Sequence, residues 1–157
     1  MGSYDQGMVK STHIVPSAAA AIVTAFILSS AAAATPPEGD VQRTDLAKGT
    51  TDTPISIVTN GEETAFYVQS LALGIGASSG WHSHPGPEQS VVTDGTVVVQ
   101  TAANCVPVAY SAGQTVFLPA GAPHIVTNRG PADADVVVTY TLPADRQVRD
   151  DVAAACP

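Results

Sequence analysis

Beyond residue 40 the chain is rich in Val, Thr and Ile and is broken every few residues by Gly, Pro, Asn or Asp. Short apolar runs of this kind, bounded by turn residues, mark strands that each bury one face. The pattern predicts strands over 55–58, 65–73, 90–92, 97–99, 106–110, 115–118, 124–127 and 136–141. Asn60-Gly61 and Asp94-Gly95 are hairpin turn signals between consecutive runs, because these residue types tolerate positive φ. No sustained helical period with a cap occurs in this part, the last turn near 149–155 excepted. The expectation is a compact all-β sandwich or barrel without internal repeats.

The N-terminal part follows a different rule. From Ile14 to Ala34 there is no charged residue, and the run is apolar and rich in alanine. Lys10 precedes it and Ala32-Ala33-Ala34 closes it, which is the order of a secretory signal peptide. Met8-Val9-Lys10 makes a better start to such a leader than the acidic Met1-to-Asp5 opening, so Met1 and Met8 compete as the initiator. An uncleaved membrane anchor is the competing reading, since the run is about long enough to span a bilayer. Pro16 and the small-residue end favour cleavage after Ala34. The expected organisation is therefore a leader over 1–34, an N-terminal segment over 35–45, a barrel over 46–145 and a tail over 146–157.

Charge narrows the partners. The chain holds 6 basic and 14 acidic residues, a net charge of −8. Arg43, Lys48, Arg129, Arg146 and Arg149 are scattered through the mature part and form no cluster in sequence. Such a surface repels nucleic acid and anionic lipid. No stable membrane span is expected once the leader is removed.

Candidate chemistry rests on histidine. Of the 4 histidines, His13 belongs to the leader. His82 and His84 are two apart, so a strand would direct both imidazoles to one side. Glu88 follows a Pro85-Gly86-Pro87 turn, and His124 opens a later run behind Pro119 and Gly121. Three imidazoles and a carboxylate suit a first-row divalent metal. The competing reading is a partly exposed surface pair at His82 and His84.

At this point the sequence resembles the cupin superfamily. Gly76, His82, His84, Glu88 and Gly95 match the spacing G-x5-H-x-H-x3-E-x6-G of the first cupin motif. Gly113, Pro119, Gly121, His124 and Asn128 match G-x5-P-x-G-x2-H-x3-N of the second. The resemblance implies a single-domain, jelly-roll-like cupin β-barrel with His82, His84, Glu88 and His124 as metal ligands. Gly95, Gly113 and Gly121 are expected at positive φ, and Asn128 in a structural hydrogen bond. Tyr67 and Gln69, on the alternating run that continues through Leu71, Leu73 and Ile75, are candidate substrate contacts, with plain barrel filling as the alternative. Trp81 should face away from the His82 side, and Ser90 and Val92 should lie below Glu88.

Cys105 and Cys156 are the only cysteines. An even count in an exported chain points to one disulfide, with two free thiols as the alternative. Export also bears on the metal: affinity order favours Cu or Zn outside the cytosol, whereas the resemblance leans to Fe, Mn, Ni or Zn. Three functions compete. One is a metal-dependent dioxygenase or oxidase acting on a small oxygen-rich molecule, with Glu88 as its candidate base. The second is a non-catalytic module that binds a small molecule or the metal itself. The third is an exported dimerisation unit, since cupins often pair as homodimers. No acid or base beyond the four ligands is visible near the motifs.

Overall fold

The computed structural model describes Gly2 and residues 38–157, so the expected leader lies outside the described residues but for Gly2. The chain divides into two compact units, Met1–Val41 and Gln42–Pro157, and all strands lie in the second. They are β1 (Thr64–Leu73), β2 (His82–Ser83), β3 (Glu88–Asp94), β4 (Thr96–Thr101) and β5 (Val108–Ser111), followed by β6 (Thr115–Leu118), β7 (His124–Thr127), β8 (Ala134–Pro143) and β9 (Asp150–Asp151). Two antiparallel sheets result, one in the order β1-β8-β3-β6 and one in the order β5-β4-β7-β2-β9. Among the described residues there is no helix, and none long and apolar enough to cross a membrane. This is the all-β, double-sheet barrel the alternation implied.

Strand parity decides which residues face inward. Val92 on β3, Val97 and Val99 on β4, and Val116 and Leu118 on β6 are buried at every second position. So are Ala134, Val136, Val138 and Tyr140 on β8. Each buried valine contributes roughly 1.5–3 kcal/mol by leaving water. Asn128 ties the end of β7 to the end of β1 and to the loop before β8: its Nδ2 donates to the carbonyls of Leu73 and Ala132, both at 2.8 Å, and its Oδ1 accepts from Gly130 N–H. The hydrogen-bonding role expected of Asn128 is thus met without any chemistry.

Three local expectations change. Residues 55–58 form no strand, and Ile55, Ile57 and Val58 stay exposed. β-propensity needs a cross-strand partner to act on, and Pro54 removes a donor just before this run. Asn60-Gly61 therefore closes no hairpin, although Gly61 does hold φ 80°. Asp94-Gly95 is a turn, but β3 and β4 belong to different sheets, so it carries the chain around a barrel corner. Only glycine fits there: φ is 69°, and a Cβ would come within 2.4 Å of the Asp133 carbonyl oxygen. Finally, 149–155 is not helical; the tail runs extended and adds β9 to the edge of β2.

Candidate metal centre

The two sheets deliver the four motif residues to one point. His82 and His124 are register partners on β2 and β7 of the five-stranded sheet. His84 follows β2 directly. Glu88 opens β3 in the other sheet, opposite Tyr140 of β8. Between His84 and Glu88 the chain turns through Pro85-Gly86-Pro87 close against β8. A Cβ at Gly86 would lie 1.9 Å from the Thr141 carbonyl oxygen, so the turn that spaces the two residues requires glycine.

All four side chains are buried. The imidazole rings of His82 and His124 are 4.2 Å apart, those of His82 and His84 4.9 Å, and those of His84 and His124 5.3 Å. One nitrogen from each can be chosen such that all three lie within 4.8 Å of one another. Glu88 Oε2 lies 3.0 Å from His84 Nε2 and 3.5 Å from His124 Nε2.

The backbone fixes the proton on each ring. His82 Nδ1 donates to Gly80 O at 2.9 Å, His124 Nδ1 to Ala122 O at 3.0 Å, and His84 Nδ1 to Val148 O. A carbonyl oxygen has no proton to give, so Nδ1 is the N–H in all three. In the neutral ring Nε2 then carries a lone pair, the arrangement typical of metal-bound histidine. Nε2 of His84 and of His124 is buried without a hydrogen bond of acceptable geometry, despite the nearby carboxylate. Leaving such atoms unsatisfied costs about 1–3 kcal/mol each. A divalent cation answers that need, so the donor set fits a metal.

Electrostatics point the same way. Burial, opposed in part by the Gly80 carbonyl and reinforced by the neighbouring imidazoles and Arg149, lowers the His82 pKa to about 4. Burial acts to raise the Glu88 pKa, but His124, His84 and the Ser90 hydroxyl outweigh it and hold the carboxyl well below the usual range. A neutral His82 and an ionised Glu88 are in the protonation states that bind metal.

The centre opens into a chamber with a cavity volume of about 170 Å³, smaller than the usual drug-sized site, so any ligand it takes is small. Its wall is chiefly valine and leucine. Gln69, Leu71 and Leu73 line it as the β1 alternation suggests, and Ser90 and Val92 lie on the Glu88 face. Tyr67 is not in that wall; it is half exposed, with its ring 6.4 Å from that of Tyr140. Ile75 falls beyond the strand and is exposed. Trp81 is partly buried, and its carbonyl accepts from Val152 N–H.

Three contributors escape the motifs. Tyr140 lines the chamber with its ring 4.6 Å from that of His84. Burial and the Glu88 charge raise its pKa, so the phenol keeps its proton. Val148 supplies the carbonyl behind His84, and Arg149 lines the mouth. An additional protic group therefore does stand beside the four ligands. Inward parity from Ala134 through Val136 and Val138 would have found Tyr140, but the run of three valines obscures it. Nothing in the tail sequence signals Val148 or Arg149.

The disulfide expectation is met: Cys105 and Cys156 are bonded, with Cα atoms 5.6 Å apart. It ties the end of the tail to the loop after β4.

The family model described as "Cupin domain" matches residues 71–140, which span all four motif residues and Tyr140. Several solved structures are similar to the chain. A polyketide cyclase from Streptomyces resistomycificus is 18% identical with a TM-score of 0.50, covering 60% of this chain and 65% of that one. A structure of DMSP lyases is 25% identical with a TM-score of 0.49, covering 56% of this chain and 44% of that one. A cupin-like protein from Thermotoga maritima is 21% identical with a TM-score of 0.49, covering 57% and 65%. The chain thus spans about half to two thirds of the length of these proteins. No curated protein matches it significantly. These findings support a small cupin-superfamily domain within the chain, matched over residues 71–140.

Proposed function

We propose that this cupin is an exported metal-dependent enzyme acting on a small oxygen-rich molecule, of the dioxygenase or oxidase type. One divalent transition metal (Zn, Cu, Fe, Mn or Ni) would be held by Nε2 of His82, His84 and His124 and by the Glu88 carboxylate. The observation that carries this is the shared orientation of the rings, each anchored at Nδ1 by a backbone carbonyl. When bound, such a metal supplies Lewis acidity or, if redox-active, a site for O2.

The protein residues do the rest. The valine and leucine wall excludes water and strengthens every charge interaction inside. Ser90 donates to Glu88 Oε1 and orients the carboxylate; Glu88 is also the candidate base. In this reading the protonated Tyr140 phenol, which lines the chamber beside His84, donates to a substrate oxygen; a protic group there supports an enzyme over a carrier. A non-catalytic binding module is the second reading, favoured by the predominantly apolar wall. Export is supported by the leader pattern at 1–34 and by the disulfide, which suits an oxidising compartment. A homodimer through β1, an edge strand with exposed Phe66 and Val68, completes the reading.

Oxygen uptake by the metal-loaded protein should be measured across diketones, flavonoids and dicarboxylates, alongside product analysis. Turnover of one class supports the enzyme; binding without turnover supports the module. Light scattering tests the dimer, and the N-terminal sequence of the secreted protein tests cleavage after Ala34.

A further inference from the structure

Of the described residues lining the chamber, Arg149 is the only permanent cation. It reaches the mouth from the tail, on the extended stretch that leads into β9. Two contacts hold it there: Nε donates to Asp151 Oδ1 at 2.7 Å, and one terminal nitrogen donates to Ser79 O at 2.7 Å. A guanidinium has five N–H donors in a planar fork. The described residues give the other three no acceptor. The Asp151 side chain is 80% exposed, so water screens much of its charge. A fixed fork with free donors, beside a wall that is chiefly valine and leucine and a candidate metal, matches a carboxylate in shape and charge.

The rest of the molecule restricts the ligand further. The net charge of −8 disfavours multiply charged anions such as phosphate esters. One guanidinium balances one negative charge. The valines and leucines below it suit an apolar remainder.

We infer that Arg149 is a specificity-determining residue and that the chamber takes small monocarboxylates with an apolar body. The assignment rests on the proposed metal-dependent reading, since it deepens that same site. A purely structural role for Arg149, pinning the tail through Ser79, is the rival account.

The test uses the full-length secreted protein, loaded with zinc, and calorimetric binding of matched pairs: benzoate with benzamide, and isobutyrate with isobutyramide. The wild-type protein should prefer each acid over its amide by at least about tenfold. Arg149→Gln should abolish that preference with zinc content unchanged, and Arg149→Lys should retain part of it. Asp151→Asn loosens the same side chain from the tail and should keep the preference. An acid preference that survives in Arg149→Gln overturns the inference, because the metal alone would then hold the anion. Equal binding of acid and amide by the zinc-loaded wild type overturns it as well, and so does loss of zinc in Arg149→Gln. Failure of the wild-type protein to hold zinc or any other divalent metal would instead sink the metal-dependent reading itself.

Discussion

The stretch from Gly76 to Asn128 and the tail from Ala144 to Pro157 both serve the candidate metal centre, but by different means. The first supplies the side chains: His82, His84, Glu88 and His124 stand at fixed offsets because strand parity and two tight turns place them. The second supplies backbone and support. Val148 lends a carbonyl to His84, β9 covers the edge of β2, and Cys156 anchors the end. The candidate ligands therefore sit in one region, while their orientation is shared with another that has no candidate ligand of its own.

Removing a ligand should show the largest effect. His84→Ala is expected to lower metal affinity by more than about 100-fold, beyond what supporting groups cost when lost. Elemental analysis of the purified variant checks this, and unchanged metal content would refute the assignment. Next comes the tail. Replacing both cysteines by serine should cost roughly 4 kcal/mol of stability by the chain-entropy estimate for a loop of this size. If the tail orients His84, metal affinity should also fall by about tenfold. Denaturant melts and competition with a chelator separate the two effects. A stability loss with unaltered metal affinity would confine the tail to a structural role.

Gly86→Ala sharpens the comparison from the other side. The added methyl meets backbone of β8, so a loss of about 1–3 kcal/mol is expected, read as a lower melting temperature. Metal affinity should fall with it, because the His84-to-Glu88 spacing runs through that turn.

A smaller effect concerns pH. The metal-free protein holds His82 neutral, with its pKa lowered from 6.5 to about 4 by burial. The unfolded chain binds that proton more readily, so this contribution is complete above pH 6.5 and is lost as pH falls toward 4. Melting temperature of the apo-protein against pH should show that decline, and His82→Gln should flatten it. Smallest in structural terms is Tyr140→Phe: metal content and stability should change little, while turnover of any substrate found should drop by about 10²-fold or more.

The sequence made the motif region legible because chemistry and geometry coincide there. His82-Ser83-His84 alone left a surface pair open. The turn at Gly86, Glu88 beyond it and the run from Gly113 to Asn128 restricted the reading to a cupin barrel. Strands 115–118 and 124–127 were correct to the residue, since turns bound them on both sides. Residues 55–58 misled because alternation reports a capacity to be buried and not the presence of a sheet edge to accept it. Asp94-Gly95 misled for a related reason: a tight turn constrains φ but does not say whether its arms remain in one sheet. Tyr140 and Arg149 were missed because their roles arise from register and chain path, which carry no local residue signature.

The carbonyl behind His84 also bears on the order of assembly. Val148 lies 64 residues downstream of the histidine it orients. During synthesis the motif residues therefore emerge well before the segment that completes their setting. Until that segment docks, His84 is free to rotate and to take its proton on either nitrogen. Metal capture with the final geometry should accordingly be a late event, and the pace of tail docking should limit how fast the completed site accumulates.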